Sequence, residues 1–477
     1  MDFADIVSKV NEIIWSPPLV ILCMGAGVFF TFATRFVQVR HLPSLSRVLF
    51  GSPASAQGIS SFQAFSLAVS GRVGTGNIAG VAGAIAAGGP GAVFWMWLIA
   101  FVGSGSAYVE AALAQIYKKK VDGQYRGGPA YYIEKGMKTK VYASVFAVAT
   151  IIGCGLCLPT VQSNSIGEAM ANAFAIPTWV SGVVVALGIG LIIVGGIKRI
   201  GLAVQMIVPV MAVGYMLVAL VVIAMNITEI PAAFGLIFRS AFGMEATYGG
   251  IVGSAIAFGV KRGIYSNEAG QGTAPMAAAA AEVEHPAQQG LVQAFSIYFD
   301  TWMVCTATAL MIISTGSYNV LDGAGGFLRE QLPGITDGPA YTQVAVDSVI
   351  PNFGGAFVAI ALLFFAFTTT LAYYYYTENN VAYLIPEKSK WRKPAYAVVK
   401  LAFLGGVVFG AVNSASLVWQ LGDIGVGLMA WVNIIAILIL TKPAIRCLRH
   451  YEAQLKAGKE PSFKGSDIGL EDLDHWN

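Results

Sequence analysis

Apolar residues run along this chain in blocks long enough to cross a bilayer, separated by short stretches where charge collects. About 20 apolar residues span the hydrocarbon core. The sequence offers eleven such windows, near residues 18–38, 61–87, 91–117, 142–170, 178–196, 201–225, 247–281, 288–314, 350–376, 396–414 and 416–441. The pattern predicts an all-α integral membrane protein with about 11 transmembrane helices. Residues 17–442 form its membrane part in one domain, and 443–477 read as a partly disordered cytoplasmic tail, charged and broken by Gly458, Pro461 and Gly465.

The Lys and Arg residues orient the spans. With the N-terminus outside, 22 of the 29 fall in cytoplasmic loops and the tail, three (Lys9, Arg239, Arg329) fall outside, and Arg72, Lys261, Arg262 and Lys400 lie within spans. That bias predicts an external N-terminus and a cytoplasmic C-terminus. The expected location is the inner (cytoplasmic) cell membrane, and no cleaved signal is expected because Met1–Asp5 carry no basic region.

Composition narrows the chemistry. Charged residues are 12% of the chain against roughly 25% in soluble proteins. The mean hydropathy is +0.67. A net charge of +3 gives no basic excess to track a phosphate backbone, so nucleic acid is not an expected partner. Cys23, Cys154, Cys157, Cys305 and Cys447 lie mostly in apolar runs, which argues against a disulfide framework. His41, His285, His450 and His475 fall in loops or the tail, so no catalytic cluster converges at one depth and an enzyme is not expected.

Two windows are interrupted. Ser70-Gly71-Arg72-Val73-Gly74-Thr75-Gly76-Asn77 breaks the second, and Ala257 to Gly272 the seventh, where the helix is expected to unwind around Phe258 and the following polar residues. Backbone groups freed at membrane depth persist only where protein or a water-filled cavity satisfies them. The breaks lie about 185 residues apart, and each opens a block of five windows, the first block about 61–226 and the second about 247–441. Five spans reverse orientation from block to block, which is the arithmetic of an inverted repeat. Paired breaks in such halves mark a transport site, because half-helix N-termini attract a carboxylate and freed carbonyls hold a cation. The other account of the glycines is close helix packing.

These residues also carry a family resemblance. Gly74-Thr75-Gly76-Asn77-Ile78-Ala79-Gly80 followed by Gly88-Gly89-Pro90-Gly91 resembles the signature of the alanine or glycine:cation symporter family. Gly127-Gly128-Pro129-Ala130, Gln162-Ser163-Asn164-Ser165, Ser266-Asn267-Glu268-Ala269-Gly270, Asp300-Thr301 and Thr368-Thr369-Thr370 extend the match in order. The family is similar in fold to the neurotransmitter–sodium symporters, with one helix in front: one plus five plus five, two of them broken. The resemblance implies a secondary active symporter importing a small neutral amino acid, alanine or glycine, with Na+ or H+ by alternating access, and no organic cofactor. It implies that amides near Thr75, Gly76 and Asn77 receive the substrate carboxylate. It implies a Na+ site of the Ser70, Val73 and Phe365 carbonyls with the Thr368 and Thr369 hydroxyls, neutral oxygens suited to a hard cation. Phe258 resembles the aromatic that closes over the substrate.

Several roles stay open on sequence alone. Each hydroxyl of Thr368–Thr370 can instead bond the carbonyl one turn earlier. Gln162 and Asn164 either hydrogen-bond the amino acid or join helices. Asp300, costly in an apolar run, contacts the substrate amine, supports a second cation or pairs with Arg72. An uncoupled facilitator or channel is the alternative class, but its pore would need a continuous polar helix face, and none is present.

Overall fold

The computed structural model describes residues 3–335 and 337–477. Helices α1 (Phe3–Ile14) and α2 (Pro17–Ala33) meet at a 41° bend. Pro17 and Pro18 restart the chain there, since a proline costs nothing where a helical N–H has no partner.

Seven single helices are long and apolar enough to span a bilayer. They are α5 (Gly91–Ile116), α7 (Lys140–Phe174), α9 (Gly196–Met225), α12 (Pro286–Ser314), α13 (Gly354–Leu384), α14 (Arg392–Val412) and α15 (Ala415–Ile439). Counting the bent α1–α2 pair as one span gives eight among the described residues, not eleven. Three windows fall short as single helices. Residues 178–196 give a helix of only 16 residues, α8 (Thr178–Ile193). The other two are the interrupted windows. One splits into α3 (Ser61–Arg72), a π-helical turn (Gly76–Gly80) and α4 (Val81–Gly88). The other splits into α10 (Val252–Asn267) and α11 (Ala274–Ala279).

Burial sorts the helices by position. The spanning window of α5 is 78% buried inside the protein, whereas those of α9 and α14 are 33% and 22% buried and face outward. Helix α5 packs on α2, α10 and α12, and α7 packs on α13 and α14. Both broken helices lie among these inner elements: every residue from 64 to 82 and from 262 to 281 is buried.

At one end of the bundle the outer ends of the broken helices are laced together. Ser60 caps α3, accepting from Gln63 N at 3.1 Å while the Gln63 side chain accepts from Ser60 N at 3.0 Å. Just before it, Ile59 N donates to Ala280 O at 2.9 Å and Ile59 O accepts from Glu282 N at 2.9 Å, joining the start of α3 to the end of α11. A hairpin, β1 (Lys119–Val121) and β2 (Gln124–Arg126), flanks the junction, its turn built on Asp122 (φ 53°) and Gly123 (φ 72°).

The tail expected to be disordered is ordered. After helices α6 (Pro129–Met137) and α16 (Thr441–Lys456), the last residues fold back on this same end. Phe463, Ile468, Leu473 and Trp476 are all buried, and Trp476 Nε1 donates to Gln115 O at 2.7 Å. Lys118 lies over the Tyr125 ring at 4.2 Å and the Trp476 ring at 5.0 Å. Lys135 pairs with Asp474 at 3.3 Å. The first half of the tail does carry an amphipathic period, since Ala444, Cys447, Leu448 and Tyr451 of α16 are buried, and only the residues after it dock through isolated anchors.

Candidate functional site

The first break sits where α3 ends at Arg72. Gly74 is required there by space: a Cβ would lie 2.4 Å from Thr369 Oγ1 and 2.9 Å from Gln162 Oε1. Its absence lets α7 and α13 reach the unwound backbone. Gly74 N donates to Asn77 Oδ1 at 2.9 Å and Thr75 N to Gln162 Oε1 at 3.1 Å, so side-chain carbonyls occupy the amides freed by the break. The Thr75 hydroxyl is fully buried without a partner among the described residues.

Opposite this break, Thr369 on α13 crosses to α3. Its hydroxyl lies 2.6 Å from Ser70 O, 3.3 Å from Val73 O and 2.9 Å from Phe365 O. One hydroxyl has one hydrogen, so it bonds only one of these three carbonyls at a time; Phe365 O also accepts the helix N–H within α13, whereas Ser70 and Val73 stand at the end of α3. Thr368 Oγ1 reaches Phe365 O at 2.9 Å and Phe364 O at 3.0 Å. Thr369 thus faces the Ser70, Val73 and Phe365 carbonyls in one buried cluster without a carboxylate, whereas the Thr368 hydroxyl bonds carbonyls of its own helix and lies 3.7 Å from Met211 Sδ. Neutral oxygens facing one another with too few hydrogens fit a small hard cation. Thr370 differs: its hydroxyl only back-bonds Ala366 O at 2.7 Å.

Asp300 joins the two breaks. It lies in a π-helical stretch of α12 (Tyr298–Cys305), and it accepts from Asn77 Nδ2 at 2.6 Å, Ser266 Oγ at 3.0 Å and Thr301 Oγ1 at 2.7 Å. Three donors compensate the burial of this carboxylate. Ser266 and Thr301 are new to the site, although both stand inside motifs legible in the sequence.

Of the three alternatives for Asp300, the ion pair with Arg72 is not formed among the described residues. Arg72 Nε donates to Asn267 O at 2.7 Å, and Nη1 reaches Gln293 O at 3.3 Å and Ser296 Oγ, while Nη2 has no partner among the described residues. The long arginine thus joins the end of α3 to the carbonyl at the end of α10 and to α12.

The second break falls later than expected. Helix α10 runs unbroken to Asn267, and the chain turns at Glu268 (φ 55°), Gly270 (φ 77°) and Gly272 (φ 88°). Phe258 therefore lies inside an intact helix, nine residues and about 13 Å before the break at helical rise. Gly259 at its side packs on Ala92 and Trp95 of α5. The aromatic beside the first break is Tyr265, one turn nearer the break than Lys261. A Cβ on Gly76 would meet its ring at 3.2 Å. Tyr265 packs on Trp419 with ring centres 5.0 Å apart, and the Arg262 guanidinium lies 4.3 Å from the Trp419 ring. Above them Asp423 binds Arg262 at 2.8 Å and Lys261 at 2.7 Å. The site thus has an aromatic roof pinned by an ion cluster, which composition alone did not reveal.

Asn164 also stands apart. Its side chain donates to Gly410 O at 3.1 Å and Asn413 O at 2.9 Å, tying α7 to the end of α14. Thus Gln162 reaches the break and Asn164, two residues on, joins helices.

Two discontinuous helices crossing inside a bundle of spanning helices define a membrane transporter. The fold is that of solved LeuT-like transporters. MhsT in complex with L-phenylalanine superposes with a TM-score of 0.54 at 14% identity, over 83% of this chain and 97% of MhsT. The chain belongs to the sodium:alanine symporter family, whose family model matches residues 1–465. YrbD of Bacillus subtilis is 56% identical over 99% of this chain and 97% of its own. A sodium/proton-dependent alanine carrier protein of Bacillus sp. (strain PS3) is 49% identical over 90% of this chain and 96% of its own.

Proposed function

We propose that this protein imports a small neutral amino acid, alanine or glycine, with Na+ by alternating access. The carrying observation is the Thr369 hydroxyl bridging helices to the Ser70 and Val73 carbonyls, at 2.6 and 3.3 Å. Na+ at this point would tie α3 to α13 through Ser70, Val73, Phe365, Thr368 and Thr369, and so stabilise one arrangement of the first break against another. A ligand shifts a conformational equilibrium only through such differential affinity.

The amino acid belongs at the first break. Its carboxylate would displace the Gln162 and Asn77 side-chain oxygens from the amides of Gly74 and Thr75, with Gly76 and Asn77 lining the same turn. Asp300, held by three hydrogen-bond donors, positions Asn77 and Ser266 and stands where the amine can reach. Tyr265 takes the covering role, close enough to the break that a Cβ on Gly76 would meet its ring at 3.2 Å. Family membership and the named alanine carriers support this reading.

The topology belongs to the same proposal: α2 in front, then two inverted blocks of five spans with the broken helices counted, the N-terminus outside and the laced, tail-covered end in the cytoplasm. The excess of Lys and Arg at that end supports this orientation.

The test is uptake of radiolabelled alanine into proteoliposomes under an inward Na+ gradient, an inward H+ gradient, or none. The proposal expects accumulation above equilibrium with Na+. Equal, merely equilibrating uptake in all three conditions would leave an uncoupled facilitator.

A further inference from the structure

At the laced end of the bundle, away from both breaks, three connections meet around a cavity of about 640 Å³. The β1–β2 hairpin brings Asp122 and Arg126, the turn between α8 and α9 brings Gly196, and the loop from α13 into α14 brings Lys388, Lys390, Arg392 and Lys393.

The lining is cationic and underpaired. Arg126 and Arg392 are only 3% and 5% exposed. Arg126 Nη2 reaches Glu378 at 3.0 Å, and Arg392 Nη1 holds the Ala382 and Ile385 carbonyls at the end of α13. Arg126 Nε and Nη1 and Arg392 Nε have no partner among the described residues. A buried guanidinium N–H without an acceptor is costly, and an anionic oxygen is its strongest acceptor. Asp122 Oδ2 shows what this place accepts: it takes Arg392 Nη2 at 2.5 Å and Tyr396 Oη at 3.4 Å, and lies 3.9 Å from Arg126 Nη2. Charge is still left over. Five cations line the cavity against three carboxylates, Asp122, Glu378 and Glu387. Lys388, Lys390 and Lys393 are exposed and form no ion pair within 4 Å among the described residues.

Position selects the anion. Helix α14 starts at Arg392, and Val398 and Leu401, about 9 and 14 Å along it, are exposed. Leu191 of α8 and Val194 just before Gly196 are exposed too, and α8 packs on α14. The cavity therefore opens where two adjoining apolar outer faces end, which is headgroup depth. Trp391 stands exposed beside it, as tryptophans do at membrane interfaces. A free phosphate would use the cations alone, whereas a phospholipid also covers the apolar faces with its chains. A zwitterionic headgroup carries its own cation, which the lysines repel.

We propose that this cavity binds the phosphate of an anionic phospholipid, with Arg126, Arg392 and the three lysines around the headgroup and the chains along α8 and α14. The site rests on α13 and α14 spanning the membrane, and not on the symport reading.

Trp391 reports the site in the full-length protein. Nanodiscs of phosphatidylcholine receive increasing fractions of brominated phosphatidylglycerol or brominated phosphatidylcholine, and Trp391 quenching is the difference from Trp391→Phe. We expect half-maximal quenching at an about tenfold lower fraction of phosphatidylglycerol. The triple variant Lys388→Gln/Lys390→Gln/Lys393→Gln, at exposed positions, is expected to bring the two lipids within about twofold. Lys138→Gln/Lys140→Gln/Lys459→Gln, which removes the same charge from exposed positions elsewhere, is expected to keep the preference. Equal quenching by both lipids in the native protein, or an equal loss in both triple variants, overturns the proposal. Inorganic phosphate at matched ionic strength is expected to leave the preference unchanged. If it abolishes the preference, the cavity takes a soluble anion and the lipid assignment fails.

Discussion

Thr369 and Thr370 are neighbours on one helix with different employment. The first bridges α13 to the break in α3, and the second only bonds the carbonyl one turn earlier. Removing the Thr369 hydroxyl takes one oxygen from the proposed cation site. We predict that Thr369→Ala raises the Na+ concentration for half-maximal alanine uptake about tenfold or more, a loss of about 1.4 kcal/mol. Thr370→Ala is predicted to stay within about twofold in the same assay. Gly74→Ala tests the geometry from the other side: a Cβ 2.4 Å from Thr369 Oγ1 must push α13 from the break. Na+-driven uptake is expected to fall at least tenfold while the protein still reaches the membrane. These residues were legible in the sequence because glycines, hydroxyls and amides crowd a span where nothing polar is needed for packing. Phe258 and Tyr265 show the limit: both are aromatic residues in one interrupted window, and only the left-handed turns at Glu268, Gly270 and Gly272 fix which of them meets the first break.

Helical spans announce themselves by apolar length, and the seven long helices fall close to their windows. The docked tail does not, because Phe463, Ile468, Leu473 and Trp476 follow no period and touch partners far away in the chain. Truncating a buried Trp typically costs about 3–5 kcal/mol. Trp476→Ala is therefore expected to release the tail, seen as faster hydrogen exchange over residues 463–477 with the spanning helices unchanged. The same end of the molecule is sensitive to pH. His285, next to α12, is fully buried and stacked on His450 with ring nitrogens 3.2 Å apart. Burial, with the neighbouring imidazole, lowers its pKa to about 3. The folded form then binds fewer protons than the released one between about pH 6.5 and 3, so docking weakens as pH falls through that range. At pH 5 the cost is about 2 kcal/mol. Proteolysis of the tail is predicted to accelerate on acidification from pH 7 to 5; an unchanged rate would refute a neutral buried His285.

For the molecule as a whole, both breaks are buried: an ion-pinned aromatic roof lies over one side, and laced backbone and tail over the other. Alternating access requires each closure to yield in turn. Asp423 holds the roof through both Lys261 and Arg262, and removing one partner of a buried ion pair costs about 3–5 kcal/mol. Asp423→Asn is predicted to open the Trp419 side, measured as faster hydrogen exchange over residues 259–267. This roof could not be read from composition, because its charges come from windows some 160 residues apart. The central claim is that the oxygens between α3 and α13 bind the ion that drives the amino acid. The most direct measurement is radiolabelled sodium and alanine followed together into the same proteoliposomes. The account predicts alanine-dependent sodium influx in the native protein and its loss in Thr369→Ala. Alanine influx without any accompanying sodium would contradict it.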